Sequence, residues 1–199
     1  MRFHKILEDL FSSRVKIAVM KILFFYPDKK FSGRELARLI KISPSRTSEV
    51  LELFRRYGII NRIKIGNTCE WSLNKENILV KELSKIFKID EKVYKTLKTK
   101  IYNILKNEKK ILKVILYGSI ARGDEKPDSD IDLFILVKNK KDKEKVGDLI
   151  SKLNFSLIPI FGNVISEFIY SEEELKTKTK SKILSRIYSE GDVILDRKK

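Results

Sequence analysis

The stretch from Leu112 to Val137 constrains this 199-residue chain more than any other. A short apolar run, Leu112–Tyr117, leads into Gly118-Ser119-Ile120-Ala121-Arg122-Gly123-Asp124. Pro127-Asp128-Ser129 then marks a turn, and Asp130-Ile131-Asp132-Leu133-Phe134-Ile135-Leu136-Val137 follows as a second strand-like run. The pattern predicts strand, turn, helix start, turn, strand. On a strand, Asp130 and Asp132 share one face and Ile131 and Leu133 the other. Two carboxylates one pleat apart repel unless a cation lies between them. Oxygen ligands at that spacing suit Mg²⁺, which takes a few carboxylates and completes its shell with water and phosphates. Gly118 lets the backbone approach a ligand closely. Ser119 brings a hydroxyl to the point where a helix would start, beside N–H groups able to hold a phosphate. A phosphate cradle next to a metal-binding carboxylate pair is the apparatus of phosphoryl or nucleotidyl transfer. The plain alternative is a turn carrying a solvated Asp pair.

Gly118-Ser119, ten residues, then Asp130-Ile131-Asp132 resembles the nucleotidyltransferase superfamily of DNA polymerase beta. The closer resemblance is to its minimal members, through Gly-Ser-x-Ala-Arg-Gly-Asp followed by Ser-Asp-Ile-Asp-Leu. It extends from about residue 90 to 196, where a helix with Ile183 and Ile187 precedes Glu190-Gly191-Asp192-Val193-Ile194-Leu195. The resemblance implies a mixed sheet backed by helices, with Asp130 and Asp132 as catalytic ligands of Mg²⁺. Gly118 and Ser119 would bind the β- and γ-phosphates of a nucleoside triphosphate. Arg122 would either contact phosphate or brace the loop. One metal would activate an attacking hydroxyl, and the other would stabilise departing pyrophosphate. A third carboxylate is expected on a later strand, Val164–Tyr170, where Glu167 is the only acid. Glu167 is therefore the third candidate catalytic and metal residue; the spacing allows Ser166 at that position instead, which would leave two carboxylates. The minimal members include antitoxins that transfer AMP to a toxin partner, so the resemblance makes a protein acceptor plausible.

The first third of the chain has a different grammar. Val15, Ile17, Ala18, Met20, Leu23 and Phe24 form an apolar helical stripe that stops at Tyr26-Pro27-Asp28. A second helix opens with the capping box Ser32-Gly33-Arg34-Glu35, and a third with Ser43-Pro44. Two strand-like runs around Gly66-Asn67 read as a hairpin. A strict two-residue loop would place Arg62 opposite Trp71 and Lys64 opposite Cys69; a longer loop is the alternative. Three helices and a hairpin resemble the winged helix-turn-helix domain of prokaryotic transcription regulators, over about residues 10–75. The resemblance makes the third helix the recognition helix, presenting Ser45, Arg46, Thr47 and Ser48 to double-stranded DNA on the side away from Val50 and Leu51. Arg62, Lys64 and Asn67 on the hairpin would reach the flanking backbone. The alternative role is dimerisation or protein docking. Regulators of this kind are often dimers, which leaves a homodimer as one assembly open to the chain.

The organisation expected is α+β: a winged helix at residues 1–75, a helical connector at 76–90 and a nucleotidyltransferase domain at 91–199. Residues 1–88 carry 19 Lys/Arg against 9 Asp/Glu, and the formal net charge of the chain is +16, so a polyanion is the natural partner class. A Lys-rich surface set by genome composition or a hot habitat explains the same charge. One cysteine and one histidine exclude a disulfide scaffold and a thiolate zinc site. No apolar run approaches a spanning helix and the first residues are no signal peptide, so the expected setting is cytoplasmic with no membrane partner. Two functions remain at this point. One is an Mg²⁺-dependent nucleotidyltransferase attached to a DNA-binding winged helix. The other is a DNA-binding regulator whose degenerate second domain only senses nucleotide.

Overall fold

A computed structural model describes residues 4–177 and 181–198. The chain divides into two units, Met1–Val93 and Tyr94–Lys199.

In the first unit, a short helix not predicted from the sequence, α1 (Ile6–Phe11), precedes the three predicted helices, α2 (Arg14–Phe25), α3 (Gly33–Leu39) and α4 (Pro44–Arg56). Side chains cap the last three at their N-termini. Ser13, Ser32 and Ser43 accept from the N–H groups of Lys16, Glu35 and Arg46, which satisfies backbone donors that a helix cannot satisfy itself. β1 (Phe31–Ser32), β2 (Ile60–Ile65) and β3 (Thr68–Leu73) form an antiparallel sheet in the order β1-β3-β2. The hairpin has the strict two-residue loop: Arg62 pairs with Trp71 and Lys64 with Cys69. This is a winged helix-turn-helix. Its core gathers Met20, Leu23, Leu36, Leu51, Phe54, Ile59 and Trp71, all but excluded from water.

The segment expected as a connector contains α5 (Ile78–Phe87), which packs into this core. Val80 and Leu83 are 2% and 3% exposed, and Phe87 stacks on Phe24 at 4.7 Å between ring centroids. Its apolar stripe buries against α2, each such side chain contributing about 1.5–3 kcal/mol. α6 (Ile89–Leu105) begins two residues later.

In the second unit, β4 (Ile111–Tyr117), β5 (Ile131–Val137), β6 (Ile165–Ser171) and β7 (Asp192–Asp196) form one sheet in the order β6-β5-β4-β7. β4 is antiparallel to β5 and β7, and β5 is parallel to β6, so the sheet is mixed, as expected. The parallel pair is joined by α8 (Asp142–Phe161), the long crossover such a pair requires. One face of the sheet packs Leu116, Leu133 and Ile135 against Ile101 of α6 and Leu153 of α8. The other face packs Ile115, Phe134 and Leu136 against Leu184 and Ile187 of α10 (Lys182–Glu190). α9 (Glu172–Thr177) starts with a capping box: the Glu174 amide donates to the Ser171 hydroxyl at 3.3 Å, and the Ser171 amide donates to the Glu174 carboxylate at 2.9 Å. The lysine-rich run Lys176–Lys182 lies partly outside the described residues.

Candidate active site

The motif that opened the sequence reading lies at one end of the second sheet. β4 delivers Tyr117 to the turn, Gly118 reverses direction with φ +78°, and the short helix α7 (Gly118–Arg122) follows with no side chain capping its first turn. Asp130 stands one residue before β5 and is exposed; Asp132 lies within the strand, half-buried, paired with Tyr117 on β4. Gly118 is required for a reason more specific than ligand access. A Cβ built there would overlap the Asp132 carboxylate, with Cγ 2.9 Å away. The missing side chain makes the room that this carboxylate occupies, and the positive φ adds strain to any replacement.

Burial pushes the Asp132 carboxyl above its ordinary value, and repulsion from Asp130 pushes it further; Arg122 acts in the opposite sense. The neighbouring Tyr117 hydroxyl is also raised, by burial and then by Asp132. Two acids forced together, one of them partly desolvated, make a donor set that favours a hard cation. Residues present therefore fit Mg²⁺ held by two carboxylates; among the described residues no group of three His, Cys, Asp or Glu is placed to hold a metal ion together.

The third ligand expected at Glu167 is corrected by the register. Asp132 pairs with Ser166 on β6, and Glu167 pairs with Leu133. Adjacent residues in register share a face, so Glu167 belongs to the Leu133 face, opposite Asp132. Ser166 takes the position beside the acid pair. Arg122 braces the loop: its Nε and Nη2 bond the two carboxylate oxygens of Asp124, each at 3.2 Å, and its Nη1 reaches Glu190 at 3.4 Å. Ser119 lies half-buried, its carbonyl accepting the Asp124 amide at 3.1 Å. A cleft of about 510 Å³ runs between this turn and α10, lined by Ser119, Arg122 and Asp132 on one side and Arg186 and Glu190 on the other. Arg186 and Glu190 are functional candidates that the sequence reading missed, because nothing local ties α10 to the turn.

In the first unit, Ser45, Arg46 and Ser48 are exposed on α4. Thr47 is not; it is fully buried, and its hydroxyl donates to the Ser43 carbonyl at 3.0 Å. Three and four residues before Val50 and Leu51, it shares their core-facing stripe, so its place on a DNA-facing surface is withdrawn. Lys64 and Asn67 on the hairpin are exposed. Arg62 is held rather than free: Glu52 of α4 takes its Nη1 at 2.9 Å, and its Nε donates to the Cys69 sulfur at 3.2 Å. Glu52 also takes Arg55 at 2.8 Å, and these two arginines hold its carboxyl below the ordinary value.

No helix among the described residues is long and apolar enough to cross a membrane. Among solved structures, reduced HlyU from Vibrio cholerae N16961 is similar to this chain at 24% identity and a TM-score of 0.34, over 41% of this chain and 81% of that one. Two Methanocaldococcus jannaschii proteins are also similar. "Putative protein adenylyltransferase MJ0604" is 38% identical over 85 residues, 43% of this chain and 79% of its own length. "Putative protein adenylyltransferase MJ0141" is 37% identical over 83 residues, 40% of this chain and 78% of its own. The family model described as "Polymerase beta, Nucleotidyltransferase" matches residues 99–199. That span contains the Gly118 turn, the Asp130 and Asp132 pair and the sheet that positions them, and with half its length matched the chain belongs to the polymerase beta nucleotidyltransferase family.

Proposed function

We propose that this protein is an Mg²⁺-dependent nucleotidyltransferase that transfers AMP from ATP to a protein side chain. The observation that carries the reading is the Asp130 and Asp132 pair, with Asp132 packed against Gly118 and raised by burial and by its neighbour. The adenylyl group and the protein acceptor are taken from the printed names of the two similar proteins. In the reaction, an acceptor hydroxyl oxygen bonds to the α-phosphorus and the bond from that phosphorus to the bridging oxygen of the β-phosphate breaks. Pyrophosphate leaves with the electron pair, and the hydroxyl proton passes to solvent.

Bound Mg²⁺ would supply charge neutralisation at the phosphates and a lowered pKa for the attacking hydroxyl. The chain's own residues do the rest. Asp130 and Asp132 hold the cation; Gly118 keeps the space in which Asp132 can do so. Ser119 offers its hydroxyl to the triphosphate, and Arg122, fixed by Asp124, presents a positive edge to the same cleft. The exposed Ser45, Arg46 and Ser48 of α4, with Lys64 of the hairpin, form a surface suited to double-stranded DNA.

The test uses ATP labelled at the α-phosphate, Mg²⁺ and a lysate of the source organism as acceptor. Label should enter protein with the unmutated chain and fall on the order of 10³-fold with Asp130→Asn/Asp132→Asn, the scale of several kcal/mol that metal-held charge contributes. Undiminished labelling by the double variant would overturn the reading. A second reading is favoured by the Ser166 position. With two acids instead of three, the domain would sense nucleotide without turnover while the winged helix acts on DNA. It predicts Mg²⁺-dependent ATP binding, no label transfer, and DNA affinity that changes when ATP is added.

A further inference from the structure

The cleft has two walls of unlike origin. One is the Gly118 turn with Ser119 and Arg122. The other is α10, whose residues 183, 186, 187 and 190 recur at helical spacing along one side. Ile187, 1% exposed, anchors that side to the sheet. Arg186 and Glu190 flank the anchor, and both line the cleft.

The charges on these walls are joined through one carboxylate. Glu190 Oε1 lies 3.5 Å from Arg186 Nε, and Glu190 Oε2 lies 3.4 Å from Arg122 Nη1. One acid thus serves an arginine from each wall, through two long contacts. Side-chain exposures of 68% for Arg186 and 36% for Glu190 leave both open to solvent, where such pairs are weakly held. Arg122 is fixed independently by Asp124, whereas Glu190 is the only carboxylate recorded on Arg186 among the described residues. Two arginines converging on one carboxylate form a site for an anion of higher charge and forked geometry, which a polyphosphate supplies.

We propose that Arg186 binds the polyphosphate tail of the nucleotide from the α10 wall, and that Glu190 is an internal counter-anion that the tail displaces. This rests on the reading of the cleft as a nucleotide site and assigns its second wall. Arg186 and Glu190 therefore act with opposite sign: the arginine attracts the tail and the glutamate competes with it.

The experiment is calorimetric titration of the full chain with ATP and AMP in Mg²⁺, for the unmutated protein, Arg186→Gln and Glu190→Gln. Arg186→Gln should weaken ATP binding on the order of tenfold and leave AMP binding within about twofold. Glu190→Gln should tighten ATP binding a few-fold, by roughly the strength of an exposed ion pair. Thermal unfolding of each variant registers any loss of fold. If Arg186→Gln leaves ATP affinity unchanged, or Glu190→Gln weakens it in a folded protein, the assignment is overturned while the nucleotide site stands. If the unmutated protein binds neither nucleotide, the nucleotide site and this assignment fall together.

Discussion

Glu52 and Glu190 occupy unrelated folds, yet each serves two arginines, and they differ in firmness. Glu52 holds Arg55 at 2.8 Å and Arg62 at 2.9 Å. Glu190 holds Arg122 at 3.4 Å and Arg186 at 3.5 Å. The first arrangement links the hairpin to α4 through short contacts and occupies Arg62. The second is a loose occupancy of a cleft that a stronger anion can take over. A carboxylate beside arginines is thus a fastener in one unit and a placeholder in the other, and the distances and partners separate the two roles.

The largest effect that sharpens this contrast lies beneath the cleft. Gly118→Ala forces a Cβ onto the Asp132 carboxylate at φ +78°. It should cost about 3 kcal/mol in urea unfolding, from backbone strain together with overpacking. At Gly66 of the hairpin a Cβ would meet nothing within 4 Å, so the matching test at the proposed DNA surface is one of binding. Arg46→Ala should weaken binding to a selected duplex by about tenfold, as for a single base or phosphate contact. Thr47→Val should leave affinity unchanged and alter stability instead, because Thr47 is buried. Unchanged affinity with Arg46→Ala would remove DNA from the first unit's role.

Smaller still is the effect of Glu52→Gln. Releasing Arg55 and Arg62 adds free positive charge, so non-specific duplex affinity should rise a few-fold and the salt slope should steepen by about 1. A fall in affinity would mean that Glu52 positions Arg62 for its contact, and the fastener would be part of the site. The smallest effect is a pH dependence at Asp132. Its carboxyl is raised in the folded state, so the fold favours the neutral form. That contribution is fully present below the ordinary value of 3.8 and is lost as pH rises through the folded value. Asp132→Asn should therefore raise Tm at neutral pH, and the gain should vanish below pH 3.8. A gain that persists in acid would mean that the asparagine stabilises by packing and not by removing a charge.

What the sequence disclosed follows from how far apart the cooperating residues lie. Gly118 to Asp132 is one local excursion, so the turn, the strand and the acid pair were readable as they stand. The hairpin was readable for the same reason, down to Arg62 opposite Trp71. The face of Glu167 was not, because it depends on which residue of β6 pairs with Asp132 after a helical crossover. One step of register turns every side chain to the other face. Thr47 was a different failure: its spacing to Val50 and Leu51 marked it as core, and its hydroxyl suggested a surface. α5 was readable as a helix, but its apolar stripe did not reveal that α2 would cover it. The Glu190 bridge to Arg122 spans 68 residues and carries no local trace.

Gly191 follows α10 at once, and a Cβ there would run into Ile115 and the Ile187 carbonyl, with the Leu116 carbonyl 3.3 Å away. The helix that forms one wall of the cleft is seated directly on the strand that leads to the other. A tightly packed seat of this kind does not deform continuously, so the two walls keep a set gauge. A caliper locked at one opening sorts what enters it by charge and shape. Discrimination between a monophosphate and a triphosphate then falls to the side chains at its jaws, which can turn while the jaws themselves stay put.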